Sequence, residues 1–254
     1  MRVLVTRPEP GGQRTAERLA GLGHDPVRMP LFESVVTATP DDLPPVGEIS
    51  GLIATSARAF AMFGDGSVSG TGLGRVLVHA VGPATAQAAR DAGFLVVDDA
   101  GGTAQALSQS LIDLRTQVPA AGLVGSQEIQ TGALVYLAGV PRTPVIETAL
   151  KARDCHFWTI DCYRMDEISY STDIMISDFL SPPPDVVLLY SANAVRRFSA
   201  LVDAANLGSS LDSTRFLCLS PAIAGQLPRI WQDRSIVAQR PDEDSLLASL
   251  TALG

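Results

Sequence analysis

Two stretches of this chain overlay without a gap. Leu4-Val5 falls on Val135-Tyr136, Leu19 on Leu150 and Phe32 on Tyr163, all at one offset. Each copy reads as an apolar strand, a Pro-containing loop, an amphipathic helix and a second strand. The echo continues elsewhere. The strand Gly51 to Thr55 followed by Ser56-Ala57-Arg58-Ala59-Phe60 matches Asp185 to Tyr190 followed by Ser191-Ala192-Asn193-Ala194-Val195. Val76 to Val81 with Gly82-Pro83-Ala84-Thr85-Ala86 matches Arg215 to Leu219 with Ser220-Pro221-Ala222-Ile223-Ala224. Leu95 to Val97 and a helix over Thr103 to Leu114 match Ile236 to Ala238, an acidic loop Asp242 to Asp244, and a helix over Ser245 to Leu253. The chain is an internal duplication of βα units.

That duplication restricts the fold to the α/β class. Alternating strands and helices predict parallel sheets with helices on both faces, as two similar Rossmann-like domains. A length of 254 residues lies where one core stops growing and a chain divides. The order of the pieces predicts a discontinuous first domain, residues 1–34 plus 166–254, and a second over 35–165. Pro26 to Glu33 and Phe157 to Arg164 would then form a two-stranded linker, a hinge above a cleft, with Tyr163 at the seam.

Several function classes fall away. A net charge of −8 disfavours nucleic acid as a partner, since affinity for phosphates comes from basic surface. Cys155, Cys162 and Cys218 are odd in number and lack Cys-x-x-Cys spacing, and His24, His79 and His156 are scattered. Neither a disulfide framework nor a metal site is expected. The glycine-rich run Gly64 to Gly74 lacks Gly-x-Gly-x-x-Gly and follows a helix, and no Gly-Lys-Ser/Thr element occurs. No cofactor is expected. Met-Arg-Val-Leu-Val-Thr-Arg-Pro reads as a first strand, and no apolar run reaches the roughly 18 residues of a membrane helix. A cytoplasmic monomer without membrane partners is expected.

Ligands of parallel α/β sheets bind at the carboxyl ends of the strands, against helix N-termini. The segments there include Thr6 to Gly12, Thr55 to Arg58, Gly82 to Thr85, Ala138 to Thr143, Ser191 to Asn193 and Ser220 to Ala222. They are rich in hydroxyls and free backbone N–H groups, and each helix end is worth roughly 0.3–1 kcal/mol to an anion. Helix capping alone explains any one of Ser56, Ser191 or Ser220. Matched sets in both halves point further, to a polyanion site. Arginines dominate the cations, with Lys151 the only lysine, which suits carboxylate recognition and equally suits a biased genome. No Gly-x-Ser-x-Gly occurs, no His stands at a strand end beside Ser or Cys, and Asp98-Asp99 and Asp242-Glu243-Asp244 sit in loops. Positioning and hydrogen bonding are the chemistry left.

In this order and spacing, these motifs resemble the uroporphyrinogen-III synthase family over nearly the whole chain. The marks are Val5-Thr6-Arg7-Pro8 with Glu17-Arg18-Leu19, Gly51 to Ala59, Val81 to Ala86, Asp161-Cys162-Tyr163-Arg164, Tyr190 to Ala194 and Arg240-Pro241. The resemblance implies a cofactor-free lyase acting on hydroxymethylbilane, a linear tetrapyrrole with an acetate and a propionate on each ring. The terminal hydroxyl leaves as water and the macrocycle closes with the last ring inverted, through a spiro intermediate. By the same resemblance, Tyr163 is the donor to the leaving hydroxyl. Ser56, Thr85 and Ser191, with Gly82, line the substrate, and Arg7, Arg58, Arg215 and Arg240 add charge-assisted bonds. The chain departs from the family where it has Ile223 in place of a frequent Thr, and Ser220 is the substitute. Two other classes fit the same lobes: a non-catalytic binding protein for small anions, and a small-molecule transferase.

Overall fold

The computed structural model describes residues 1–99, 132–251 and 253. The helix predicted over Thr103 to Leu114 lies outside them. The chain divides into two compact units, Met1–Glu33 with Asp166–Gly254, and Ser34–Met165.

The first unit opens with β1 (Arg2–Val5), α1 (Gly11–Gly21) and β2 (Asp25–Arg28). The second takes the chain through β3 (Phe32–Val36), β4 (Ile49–Ala54), β5 (Val78–Ala80), α2 (Pro83–Asp91), β6 (Val97–Asp99), β7 (Ala133–Val140), α3 (Val145–Lys151) and β8 (Phe157–Glu167). The chain then returns for α4 (Thr172–Ile174), β9 (Val186–Leu189), α5 (Ala192–Ala204), β10 (Arg215–Cys218), α6 (Pro221–Ala224), α7 (Arg229–Gln232), β11 (Ser235–Val237) and α8 (Glu243–Thr251). The crossings fall within β3 and at the end of β8, which are neighbours in one sheet.

The sheet of the first unit runs β11-β10-β9-β1-β2, every pair parallel. Period-two alternation sends Leu4, Val187, Leu189 and Phe216 to one face, where they pack with Val195, Phe198 and Val202 of α5 and with Trp231. Val3, Val5, Val186, Leu188 and Leu217 go to the other, under Leu19 of α1 and Leu246, Leu247 and Leu250 of α8. Strands buried on both faces read as continuous apolar runs, which is why each was visible in the sequence.

The sheet of the second unit runs β3-β8-β7-β4-β5-β6. Leu52, Ala54, Val78, Val135 and Leu137 face a cluster of Phe60, Phe63 and Phe94, whose rings meet edge-on or tilted at 5.3–6.1 Å. Ile53, Tyr136 and Ala138 face Ile146 and Leu150 of α3. Written from β2 and from β8, the two orders are β2-β1-β9-β10-β11 and β8-β7-β4-β5-β6, with β3 added outside β8. The duplication seen at constant offset is a duplication of sheet topology.

Some boundaries differ from expectation. The stretch Pro26 to Glu33, expected as one strand of the linker, is interrupted after Arg28, because Pro30 has no N–H for the ladder. Met29 N donates to Val5 O at 2.9 Å and Leu31 N to Thr6 O at 3.2 Å, stepping around the proline. Ser56 opens a 3-10 helix, Ala57–Met62, in place of an α-helix. Strand β6, at one edge of the second sheet, forms at Val97–Asp99, later than the expected Leu95 to Val97. Helix α8 starts at Glu243, before Ser245, since Asp242 accepts the Ser245 N–H at 2.8 Å and caps it.

Candidate active site

Parallel register aligns the strand ends of the second unit. Ala80, Ala54 and Leu137 are paired across β5, β4 and β7, and Leu137 pairs with Ile160 of β8. Two residues further on, Gly82, Ser56 and Gly139 therefore stand in one row. The fourth member is Tyr163, paired with Gly139 across a register shift. At strand spacing the row spans about 14 Å.

The shift is a bulge. Ala138 pairs with Asp161 and Gly139 with Tyr163, so Cys162 is one extra residue. Strict alternation would turn Tyr163 to the face opposite Cys162; the bulge returns it to the Cys162 face, where both pack with the Leu137 cluster. The ring then lies directly over the Gly139 Cα, where a Cβ would overlap it. Among the described residues the Tyr163 hydroxyl has no hydrogen-bond partner, leaving it able to donate. Beside it Arg142 Nη1 donates to Asp161 Oδ1 at 2.7 Å and to Gly139 O at 3.3 Å, and Nε to Glu147 Oε1 at 2.6 Å. These bonds hold the Arg142 pKa above its ordinary value, the Glu147 bond most of all.

The rest of the row is polar and small. Ser56 Oγ accepts the Arg58 N–H at 3.3 Å, a cap. The Arg58 guanidinium forms no ion pair among the described residues, and its Nε is buried without a partner. Gly82 holds φ +81°, a conformation suited to glycine, and so turns β5 into α2 with Pro83 in the first turn. Thr85 is only 4% exposed. Sequence reasoning missed Tyr136, whose hydroxyl lies 3.3 Å from Thr55 Oγ1; burial above all raises its pKa, keeping it a neutral phenol. It reads as a core strand residue, and nothing in its neighbours signals the Thr55 contact. His79 is buried on β5 with Asp98 3.5 Å away, and desolvation, outweighing that carboxylate, lowers its pKa.

In the first unit the strand ends carry Arg7, Ser191, Ser220 and Arg240. Ser191 Oγ accepts the Ala194 N–H at 3.1 Å and caps α5. Ser220 makes no such bond, and Ile223 beside it packs on the core. Arg240 is exposed and paired with Asp242 at 2.9 Å. Arg7, expected to bind substrate, is taken up internally: Nη1 lies 2.8 Å from Glu243 Oε1, and the guanidinium lies 4.7 Å from the centroid of Tyr190. Glu243 also accepts from Thr15, from Tyr190 at 3.1 Å and from Arg18 at 3.1 Å. Burial pushes the Glu243 pKa up; the Thr15 hydroxyl, the Arg7 charge and Tyr190 overcome it, so the net shift is downward. Burial raises the Tyr190 phenol to about 12.

Arg215 lies away from these strand ends. It is the first residue of β10, paired with Val186 at the start of β9, whereas Ser191 and Ser220 follow the far ends of those strands. Four residues at about 3.3 Å each separate it from that edge. It borders instead a cavity of about 420 Å³ with Met1, Asp185, Val186 and Ser213. Among the described residues no three or more His, Cys, Asp or Glu side chains converge as metal ligands.

Comparison with known proteins adds to this geometry. The family described as Uroporphyrinogen-III synthase HemD matches residues 13–248. Uroporphyrinogen-III synthetase from Helicobacter pylori superimposes with a TM-score of 0.62 at 15% identity, covering 100% of both chains. A mutant uroporphyrinogen III synthase from Thermus thermophilus superimposes with a TM-score of 0.52 at 19% identity, covering 99% of this chain and 98% of that one. These likenesses are of fold. No curated protein sequence matches.

Proposed function

The chain belongs to the uroporphyrinogen-III synthase family, and we propose that its strand-end row in the second unit, with Tyr163, carries the chemical step. The reaction is that of a cyclising lyase of porphyrin and haem biosynthesis: hydroxymethylbilane loses water and closes to uroporphyrinogen III with the last ring inverted. As the C–O bond of the terminal hydroxymethyl group breaks, its electron pair leaves with oxygen, and the Tyr163 O–H donates to that oxygen so that it departs as water. Arg58, with no carboxylate partner among the described residues, is the cation for a substrate carboxylate, and Ser56, Gly82 and Thr85 shape the anion contacts beside it. In the first unit Ser191, Ser220 and Arg240 take this part. Arg7 and Arg215 do not.

The observation that carries this reading is the bulge at Cys162, which brings a phenol without a hydrogen-bond partner among the described residues into the row of Gly82, Ser56 and Gly139. A bulge beside an active site commonly re-aims a side chain. The enzyme acts as a cytoplasmic monomer in this proposal. The test is to supply hydroxymethylbilane and determine the isomer formed. Uroporphyrinogen III is expected; only the uninverted type I, the spontaneous product, would leave a non-catalytic binder of small anions.

A further inference from the structure

Arg142 touches three places at once, and all three bear on where the Tyr163 ring lies. Its Nη1 reaches the Gly139 carbonyl, the peptide beneath the ring, and the Asp161 carboxylate, two residues before the ring on the neighbouring strand. Its Nε is anchored on Glu147 in the first turn of α3, a residue mostly shielded from solvent. The guanidinium thus bridges β7 and β8 at the position where Cys162 is inserted.

A planar fork with donors in fixed directions can hold two carboxylates and a carbonyl together; a single ammonium cannot match that geometry. The bulge is the part of the strand with an alternative, since regular alternation would turn Tyr163 to the other face. We infer that Arg142 is a positioning residue: its bonds to Asp161, Gly139 and Glu147 hold the bulge that keeps the Tyr163 ring over Gly139. This rests on the reading of Tyr163 as the proton donor, yet its test separates the two.

The test labels the enzyme with 3-fluorotyrosine. The chain has four tyrosines, so the fluorine resonance lost in Tyr163→Phe identifies Tyr163. Arg142→Gln is expected to move that resonance and to lower kcat by roughly ten- to a hundredfold with KM little changed, as for a misplaced catalytic group. Arg142→Lys should restore little. In the Tyr163→Phe background Arg142→Gln should lower kcat no further. Asp161→Ala, at an exposed residue and leaving the Arg142–Glu147 pair in place, should repeat the shift should Arg142→Gln fail to fold. An unmoved Tyr163 resonance in a folded variant overturns the inference, as does a loss of kcat that adds in full to that of Tyr163→Phe. A moved resonance together with normal turnover by Tyr163→Phe keeps Arg142 as the positioner and rejects Tyr163 as the donor.

Discussion

Glu243 holds Arg7 at 2.8 Å, closing a contact between residues at nearly opposite ends of the sequence. Thr15, Tyr190 and Arg18 donate to the same carboxylate, so the start of α8 is tied to α1 and to the ends of β1 and β9. The Arg7 guanidinium, at the end of β1, thus has an internal carboxylate for its partner.

The network has a pH signature. The folded Glu243 pKa lies below the ordinary value of 4.5, so the unfolded chain binds the proton more readily. Stability from this group is complete above 4.5 and declines as pH falls through the folded value. Thermal unfolding followed by circular dichroism should show the midpoint falling across that acid range, and Glu243→Gln, less stable above it, should fall more shallowly. Parallel curves for parent and variant would contradict the assignment.

Tyr163→Phe keeps the ring over Gly139 and removes only the hydroxyl. A well-aimed donor is worth about 2.7–4 kcal/mol in the transition state, so kcat should fall roughly a hundred- to thousandfold while the unfolding midpoint holds. Gly139→Ala attacks the same contact from below: the added methyl meets the ring, and kcat should fall with a stability loss of about 1–3 kcal/mol. Turnover by Tyr163→Phe within a few fold of the parent would reduce the ring to packing.

Arg58 follows Ser56 of the strand-end row, whereas Arg215 begins β10, at the amino edge of the other sheet. Arg58→Ala should raise KM more than it lowers kcat, because binding common to ground and transition states is lost. Arg215→Ala should change neither. Steady-state kinetics on both decides between them, and an unchanged KM for Arg58→Ala would make that residue an ordinary half-buried arginine.

The serines separate capping from binding. Ser191 accepts the Ala194 N–H, so Ser191→Ala should cost about 0.5–2 kcal/mol of stability. Ser220 caps nothing through its side chain, and Ser220→Ala should stay within about 0.5 kcal/mol. Chemical denaturation measures both. A rise in KM for Ser220→Ala at unchanged stability would mark its hydroxyl as a substrate contact.

Much of this is legible in the amino-acid order alone. The constant offset between Leu4 and Val135, and between Phe32 and Tyr163, identifies two copies, and their sheets follow the same strand order. Hydrophobic runs carry that information because both faces of each sheet are buried. Arg215 was legible too: a residue that begins a predicted strand stands at its amino end, away from where parallel sheets bind ligands. The bulge was not, since nothing in the order Ile160-Asp161-Cys162-Tyr163 distinguishes an inserted residue from a paired one. Nor were the bonds of Arg7 and Arg142, whose acceptors are set by tertiary placement, 236 residues away for Glu243.

The outermost strand of the first sheet has one more property. Asp25 N donates to Met1 O and Met29 N to Val5 O, so the odd-numbered amides of β2 face β1 and the even-numbered ones face outward. Of the two outward positions, Pro26 has no N–H, and only Arg28 can offer one, on a strand that also carries the charge of Asp25. Such a rim is a poor template for a second chain, because strand addition needs a continuous row of donors and acceptors. The imino acid at position 26 thus guards against edge-to-edge aggregation, a hazard that duplicating a sheet also duplicates; in the second copy, β3 covers the corresponding edge of β8.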